Sequence, residues 1–169
     1  EHERILVVST TNRATDAVAI SIGKSAREKC YGGLNSGELL RAGRGASFQA
    51  FQNANLEAML RGTESNVMCQ IDELARQLPV FDSWEEKALT RNQIAELRAR
   101  SGDQSKRAFI DPAVRVVVAT AFKAMRFVDD EIVRRIIENG EAPFTTIFID
   151  EAGLISRAAV AALSLLASR

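Results

Sequence analysis

Two adjacent carboxylates, Asp150 and Glu151, follow a short apolar run near the carboxyl end of the chain. The run, residues 144–149, is rich in Ile, Phe and Thr, which predicts a strand. An Asp at the C-terminal end of a buried strand can hold Mg²⁺ through its water shell. A Glu beside it can orient or deprotonate an attacking water. The same residues are also typical of an ordinary core strand that ends in helix-capping acids.

Two further apolar runs end in polar residues. Residues 5–8 precede Ser9, Thr10 and Asn12, and residues 114–119 precede Thr120. Because ligands gather beyond the C-terminal ends of parallel strands, we expect these polar residues to lie close to the acidic pair. Each has a structural alternative. Thr11 or Asn12 can cap the following helix, and Thr120 can be an ordinary strand-end hydroxyl.

Helical patterns separate these strands and predict a mostly parallel α/β sheet with right-handed crossovers. After the first strand a helix begins near Arg13, with Ala14, Ala17, Val18, Ser21 and Ile22 on the face toward the sheet. A short strand is expected at residues 38–41. Asp129 and Asp130 can cap a later helix that ends at Gly140, and Ser156 can cap the last one.

The stretch between residues 47 and 110 contains no convincing strand, so we predict an all-helical insertion there. Its clearest apolar stripe covers residues 67–78 and ends at Pro79. Ser83 and Glu86 form a capping box for the next helix, which we expect to end at residues 101–103. Residues 1–46 and 111–169 are then the two parts of the sheet domain.

Composition excludes several classes of site. The 169 residues carry 22 basic and 22 acidic side chains, so net charge gives no argument for a nucleic-acid or membrane partner. No apolar run approaches the roughly 20 residues that a membrane span needs. One histidine and two separated cysteines do not supply a zinc site or a Ser-His or Cys-His nucleophile. Free thiols are typical of a reducing compartment, so we expect a cytoplasmic or nuclear protein.

Three segments resemble motifs of superfamily 1 helicases, in the family's order. Residues 5–18 (ILVVSTTNRATDAV) resemble motif Ia, residues 116–121 (VVVATA) resemble motif Ic, and residues 147–153 (IFIDEAG) resemble motif II, the Walker B segment in its DEAG form. The helical stretch between Ia and Ic is most like the branch with the RNA-decay and senataxin-type helicases. That branch carries a stalk and accessory subdomain at this place.

The resemblance implies a RecA-like sheet of the P-loop NTPase class and an ATP- and Mg²⁺-dependent helicase or translocase on single-stranded DNA or RNA. Asp150 would hold the metal, and Glu151 would be the catalytic residue that activates water. Ser9, Thr10, Asn12 and Thr120 would contact the nucleic-acid backbone, because hydroxyls and amides suit phosphate oxygens. The helical insertion would offer a surface for a protein partner.

The chain departs from the family in one respect that decides its activity. It contains no GxxxxGK[ST] phosphate loop. Gly23-Lys24-Ser25 imitates the end of that motif, but it lies within a helical pattern and we interpret it as coincidence. Since the chain also lacks an initiator Met, we expect an incomplete domain, a fragment that is inactive alone.

Two other functions remain open at this point. The chain can be a helicase-like module without catalysis that binds protein or nucleic acid. It can also belong to another Walker B ATPase, such as a motor without unwinding activity.

Overall fold

Four parallel strands form one sheet in the computed structural model, which describes residues 3–43, 46–60 and 64–168. The spatial order of the strands is β2-β3-β1-β4. Their bounds are β1 Ile5–Ser9, β2 Leu39–Arg41, β3 Val116–Thr120 and β4 Thr146–Ile149. The predicted α/β class with a parallel sheet is therefore confirmed.

Eight α-helices lie between or after these strands within the described residues. They are α1 Asn12–Glu28, α2 Gly33–Ser36, α3 Phe48–Asn53, α4 Glu64–Gln77, α5 Trp84–Ile110, α6 Ala121–Val128, α7 Glu131–Glu138 and α8 Arg157–Ser164. Short 3₁₀ turns occupy Glu57–Leu60 and Ala152–Leu154. The capping residues expected from the sequence are in place. Thr11, Asp130 and Ser156 each accept a backbone N–H at the start of their helix, and Gly140 follows α7 with a φ of 78°.

Both faces of the sheet are buried by helices. Successive side chains of each strand point to opposite faces, so each strand contributes to two cores. Leu6, Val8 and Val117 belong to one core, which α6, α7, α8 and the end of α5 cover. Val7 and Val118 belong to a second core under α1, α3 and the first 3₁₀ turn. Burial on both faces explains why β1 and β3 are near-continuous apolar runs.

Helices α4 and α5 pack mainly against each other and form a hairpin with its own apolar cluster. Val67 and Ile71 from α4 contact Ile94 from α5 in this cluster. Phe51, on α3, instead lies in the core under α1. The feature that stands apart from the sheet is thus the hairpin, which is shorter than the predicted 47–110 insertion, and the domain boundaries stay a prediction.

The expected end of α5 at residues 101–103 is wrong, because the helix continues to Ile110. One glycine inside a helix costs only about 1 kcal/mol, which packing can offset. The end of α5 is anchored by Phe109, which is fully buried and stacks on Phe127 with ring centroids 3.7 Å apart. The helix ends just before Asp111-Pro112, where a residue preceding proline disfavours helical geometry.

The predicted face of α1 is only partly right, because Val18 and Ile22 pack against the second core but Ala17 and Ser21 are exposed. Thr15, Asp16, Ala19 and Gly23 are the buried residues, whereas Ala17 is exposed. The polar residues Thr15 and Asp16 lie at the centre of the buried face, so a purely apolar periodicity selects a stripe that only borders it.

On the outer edge of β4, a single β-bridge is the only further strand pairing among the described residues. Phe144, just before β4, forms a parallel bridge with Ala167, while β4 itself pairs with β1 alone among the described residues. Phe148 in the middle of β4 is 57% exposed. As for membranes, none of the helices in the described ranges is both long and apolar enough to cross one.

Candidate functional site

The carboxyl ends of β1, β3 and β4 meet at one edge of the sheet. Ser9 pairs in register with Thr120 of β3, and Val8 pairs with Ile149 of β4. The backbone N–H of Asp150 continues this pairing by donating to the Val8 carbonyl at 2.8 Å. The expected neighbourhood of the three polar strand ends is therefore confirmed.

Asp150 extends from this edge with an exposed side chain. The Ser9 hydroxyl donates to its Oδ2 over 3.4 Å, which is a long hydrogen bond. Ser9 itself is fully buried, because it continues the alternation of the β1 side chains under α1. Its hydroxyl thus serves the carboxylate of Asp150 and is sealed from a large ligand.

Glu151 turns the chain sharply after β4. Its φ of 56° and ψ of 39° lie in the left-handed region, which non-glycine residues rarely adopt. The Thr10 hydroxyl donates to Glu151 Oε2 at 2.6 Å, and both side chains lie at the surface. This short contact holds the Glu151 carboxylate beside the loop that joins β1 to α1.

Asn12 and Thr120 lie at the starts of two helices that begin at the same edge. Asn12 is the first residue of α1 and is exposed, with Thr11 as the N-cap. Thr120 is the N-cap of α6, and its Oγ1 accepts from the backbone N–H of Lys123 at 3.2 Å. In the described part of the chain the Thr120 hydroxyl hydrogen has no acceptor, so it remains available as a donor.

A buried ion pair beneath Asn12 was not predicted from the sequence. Arg41, at the end of β2, is fully buried, and its Nε donates to Asp16 Oδ1 at 2.8 Å. Its Nη2 donates to Asn12 Oδ1 at 2.9 Å, and its Nη1 donates to the Ala42 carbonyl at 2.5 Å. Asp16 also accepts from the Ser47 backbone N–H at 2.8 Å. The pair therefore ties β2, α1 and the start of α3 together.

Burial lowers the pKa of Arg41 from its ordinary value, while the charge of Asp16 and the hydrogen bond to it act in the opposite direction. Arginine stays protonated in proteins, so the guanidinium keeps its charge and its five donors. The sequence contains a signal for this pair, since Arg41 interrupts the inward-facing positions of a strand. A charged residue at such a position requires a partner.

The oxygen atoms at this edge suit a magnesium ion better than a transition metal. Asp150 and Glu151 are adjacent carboxylates, and Ser9 adds a hydroxyl 3.4 Å from Asp150. Mg²⁺ is usually bound by one or two carboxylates, with water and phosphate oxygens as the remaining ligands. Across the described ranges no cluster of three or more His, Cys, Asp and Glu side chains is present to form a metal cage built from protein alone.

A shallow groove lies at the opposite end of the strands, beside the N-terminal ends of β2 and β3. Tyr31 lines it and donates to Glu38 Oε2 at 2.6 Å. This hydrogen bond is the main cause of the raised pKa of Tyr31, with burial adding to it, and of the lowered pKa of Glu38.

No protein-family model matches the chain, and the searches of curated proteins and of solved structures also returned no match.

Proposed function

We propose that this chain is part of the first RecA-like domain of an ATP-dependent helicase or translocase that moves on single-stranded DNA or RNA. The observation that carries the proposal is that the β1–α1 loop contacts both carboxylates at the carboxyl ends of the strands. One loop, residues 9–12, contacts both acidic side chains through Ser9 and Thr10, and presents Asn12 outward three residues later. In a motor, the site of ATP hydrolysis and the site of nucleic-acid contact need a shared structural element, and this loop would be that element.

In this proposal Asp150 would hold the Mg²⁺ that accompanies ATP, and Glu151 would accept a proton from the attacking water. The metal would neutralise charge on the phosphates. Thr10 keeps Glu151 turned toward the β1–α1 loop through its 2.6 Å hydrogen bond. Ser9 supports Asp150 from below the surface. Asn12 and Thr120 supply neutral donors for the sugar-phosphate backbone, which fixes position without reading sequence.

The chain lacks a phosphate loop, and the proposal accounts for this through the outer edge of β4. Gly23-Lys24-Ser25 lies inside α1, with Gly23 buried against Met59 and Leu56, so it cannot serve as that loop. Beyond the Phe144–Ala167 bridge, the outer edge of β4 has backbone groups without a strand partner in the described ranges. Further strands paired with the outer edge of β4 would bring a phosphate loop to the carboxyl ends of the strands. In this proposal the whole protein works in a reducing compartment, the cytoplasm or the nucleus.

The decisive experiment measures ATP turnover stimulated by single-stranded nucleic acid, in a polypeptide that joins this chain to a phosphate loop. We expect Glu151→Gln to keep nucleotide binding and to lower kcat by about 10²- to 10⁴-fold, the usual contribution of a general base. Glu141→Gln is the matched control, since Glu141 is an exposed carboxylate before β4, at the other edge of the sheet. Equal activity of the Glu151 and Glu141 variants would reject the catalytic role.

A second candidate function has its own observation, the tip of the α4–α5 hairpin. Val80, Trp84 and Leu89 are 77%, 77% and 61% exposed there. Exposed apolar side chains on a projecting element favour contact with a protein, and a helicase-like module without catalysis would use them. In that case Trp84→Ser would abolish the cellular function and Glu151→Gln would leave it intact. The opposite pattern would reject the module.

A further inference from the structure

We infer that Arg41 is a positioning residue that fixes the polarity of the Asn12 amide, so that Asn12 offers only N–H donors to a ligand. The inference rests on the proposed function and adds a buried residue to it. It also specifies what Asn12 can bind: a hydrogen-bond acceptor such as a phosphodiester oxygen.

The direction of the amide follows from the chemistry of its neighbour. A guanidinium has five N–H donors and no acceptor, so only the carbonyl oxygen of an asparagine can face it. Arg41 Nη2 lies 2.9 Å from Asn12 Oδ1 and makes this contact. The NH₂ group must then point to the other side, toward solvent, and neither of its hydrogens has an acceptor among the described residues.

Arg41 can impose this direction because it is itself fixed on every side. Its side chain is fully buried, and Asp16 holds Nε while the Ala42 carbonyl holds Nη1. A flip of the Asn12 amide would place its NH₂ against a buried guanidinium and leave one of the guanidinium donors without an acceptor. A buried donor on a charged group that lacks an acceptor is strongly unfavourable, so the observed direction of the amide is favoured over the flipped one.

The position of Asn12 makes an anionic acceptor the fitting ligand. Asn12 is the first residue of a 17-residue helix, so its outward NH₂ lies at the positive end of the helix dipole. Thr120 presents a second donor at the start of α6, on the adjacent strand end. Neutral donors at the starts of two neighbouring helices suit the phosphate and sugar oxygens of a nucleic-acid backbone better than a base edge, which also presents donors.

The test measures the affinity of the 169-residue chain for fluorescently labelled oligouridylate and oligothymidylate, together with the unfolding midpoint of each variant. Asn12→Ala removes one hydrogen bond to a charged acceptor and should weaken binding by about tenfold. Arg41→Lys retains a charge beside Asp16 but releases the amide, which should weaken binding by about 2- to 10-fold through lost preorganisation. In the double variant, Arg41→Lys should cause no further loss.

A purely structural role for Arg41 gives a different pattern. The unfolding midpoint would fall, while affinity would stay unchanged in Arg41→Lys or would fall by the same factor with and without Asn12. Either result overturns the positioning role. Failure of the wild-type chain to bind both oligonucleotides would instead overturn the nucleic-acid part of the proposed function, and the inference with it.

Asn12→Asp provides a variant that does not disturb the buried pair. It keeps an oxygen acceptor for Arg41, so we expect no fall in the unfolding midpoint. It also replaces the outward NH₂ with a carboxylate oxygen, which repels phosphate, and should weaken binding more than Asn12→Ala does. Binding of the Asp variant as tight as that of the wild type would overturn the inference, because the N–H donors would then be unused.

Discussion

Removal of the Asp16 carboxylate should destabilise the whole domain, because it leaves the Arg41 charge buried without a counter-ion. Arg41 is fully buried and Asp16 is 7% exposed, so water cannot replace the lost partner. Breaking a buried pair from one side costs about 3–5 kcal/mol. That is a large share of the roughly 5–15 kcal/mol by which a domain is usually stable.

The Asp16→Ala variant also loses the acceptor for the Ser47 backbone N–H, which begins α3. The expected loss of 3–5 kcal/mol corresponds to a fall in Tm of about 6–20 °C, at roughly 2–4 °C per kcal/mol for a chain of this length. Urea titration of the 169-residue chain, followed by circular dichroism, gives the free energy of unfolding directly. Asp16→Asn keeps the shape and one acceptor oxygen, so its loss should be smaller.

A surface pair provides the control for this experiment. Glu131 and Arg135 are paired on α7, with side chains 77% and 72% exposed. Removing Glu131 should cost about 1 kcal/mol or less, since solvent screens an exposed pair and the helix-start charge adds little. If Asp16→Ala also costs less than about 1 kcal/mol, the argument that Arg41 needs a buried counter-ion is wrong.

Three further predictions test the packing and one tyrosine contact. Phe109→Ala should cost about 3–5 kcal/mol in urea unfolding, since its ring stacks in the sheet core; a loss below about 1 kcal/mol would mean that the end of α5 is not anchored there. Gly23→Ala should destabilise by about 1–3 kcal/mol despite the better helix propensity of alanine, because its Cβ would lie 2.7 Å from the sulfur of buried Met59. Ser21→Ala, on the exposed side of α1, is its control and should be neutral or slightly stabilising. The chain has one tyrosine, so absorbance titration reports Tyr31 alone, and its pKa should fall toward the ordinary value of about 10 in Glu38→Ala. Because folding raises the Tyr31 pKa and lowers the Glu38 pKa, this contact should stabilise the protein while Tyr31 is protonated and Glu38 is ionised. The stabilisation should be lost as the pH rises through the raised Tyr31 pKa, and as the pH falls through the lowered Glu38 pKa. Equal titrations of the two proteins would contradict the contact.

The strands and four of the eight helix starts could be predicted from the sequence because their signals are local. Residues 5–8 and 116–119 are unbroken apolar runs, as strands buried on both faces require. Thr11, Asp130 and Ser156 cap helices through their own side chains, which needs no tertiary information. The meeting of Ser9, Thr120 and Asp150 followed from the rule that parallel strands end at one edge.

The buried pair and two of the helical details could not be predicted in this way, because they depend on packing between distant segments. Arg41 and Asp16 are 25 residues apart, so the strand position of Arg41 signals a buried charge but does not identify Asp16 as its partner. Helix α6 was missed because its first residue directly follows β3, with Thr120 serving as both strand end and cap. The length of α5 depends on Phe109 reaching the sheet core, which overrides the glycine within the helix.

Within a few residues, the β1–α1 loop contacts the acidic pair and then presents the outward Asn12 amide. This arrangement affects how the proposed motor would couple ATP hydrolysis to nucleic-acid contact. Ser9 and Thr10 donate to the acidic pair, whereas Asn12 faces outward and is held from below by Arg41. Loss or gain of charge at Glu151 changes the strength of the Thr10 contact, because hydrogen bonds to a carboxylate are stronger than those to a neutral group. A shift of Thr10 cannot easily tilt Asn12, since Thr11 and Arg41 fix the start of α1. Under the proposed function, hydrolysis would therefore leave the start of α1 and the Asn12 amide in place, because Arg41 ties both to β2.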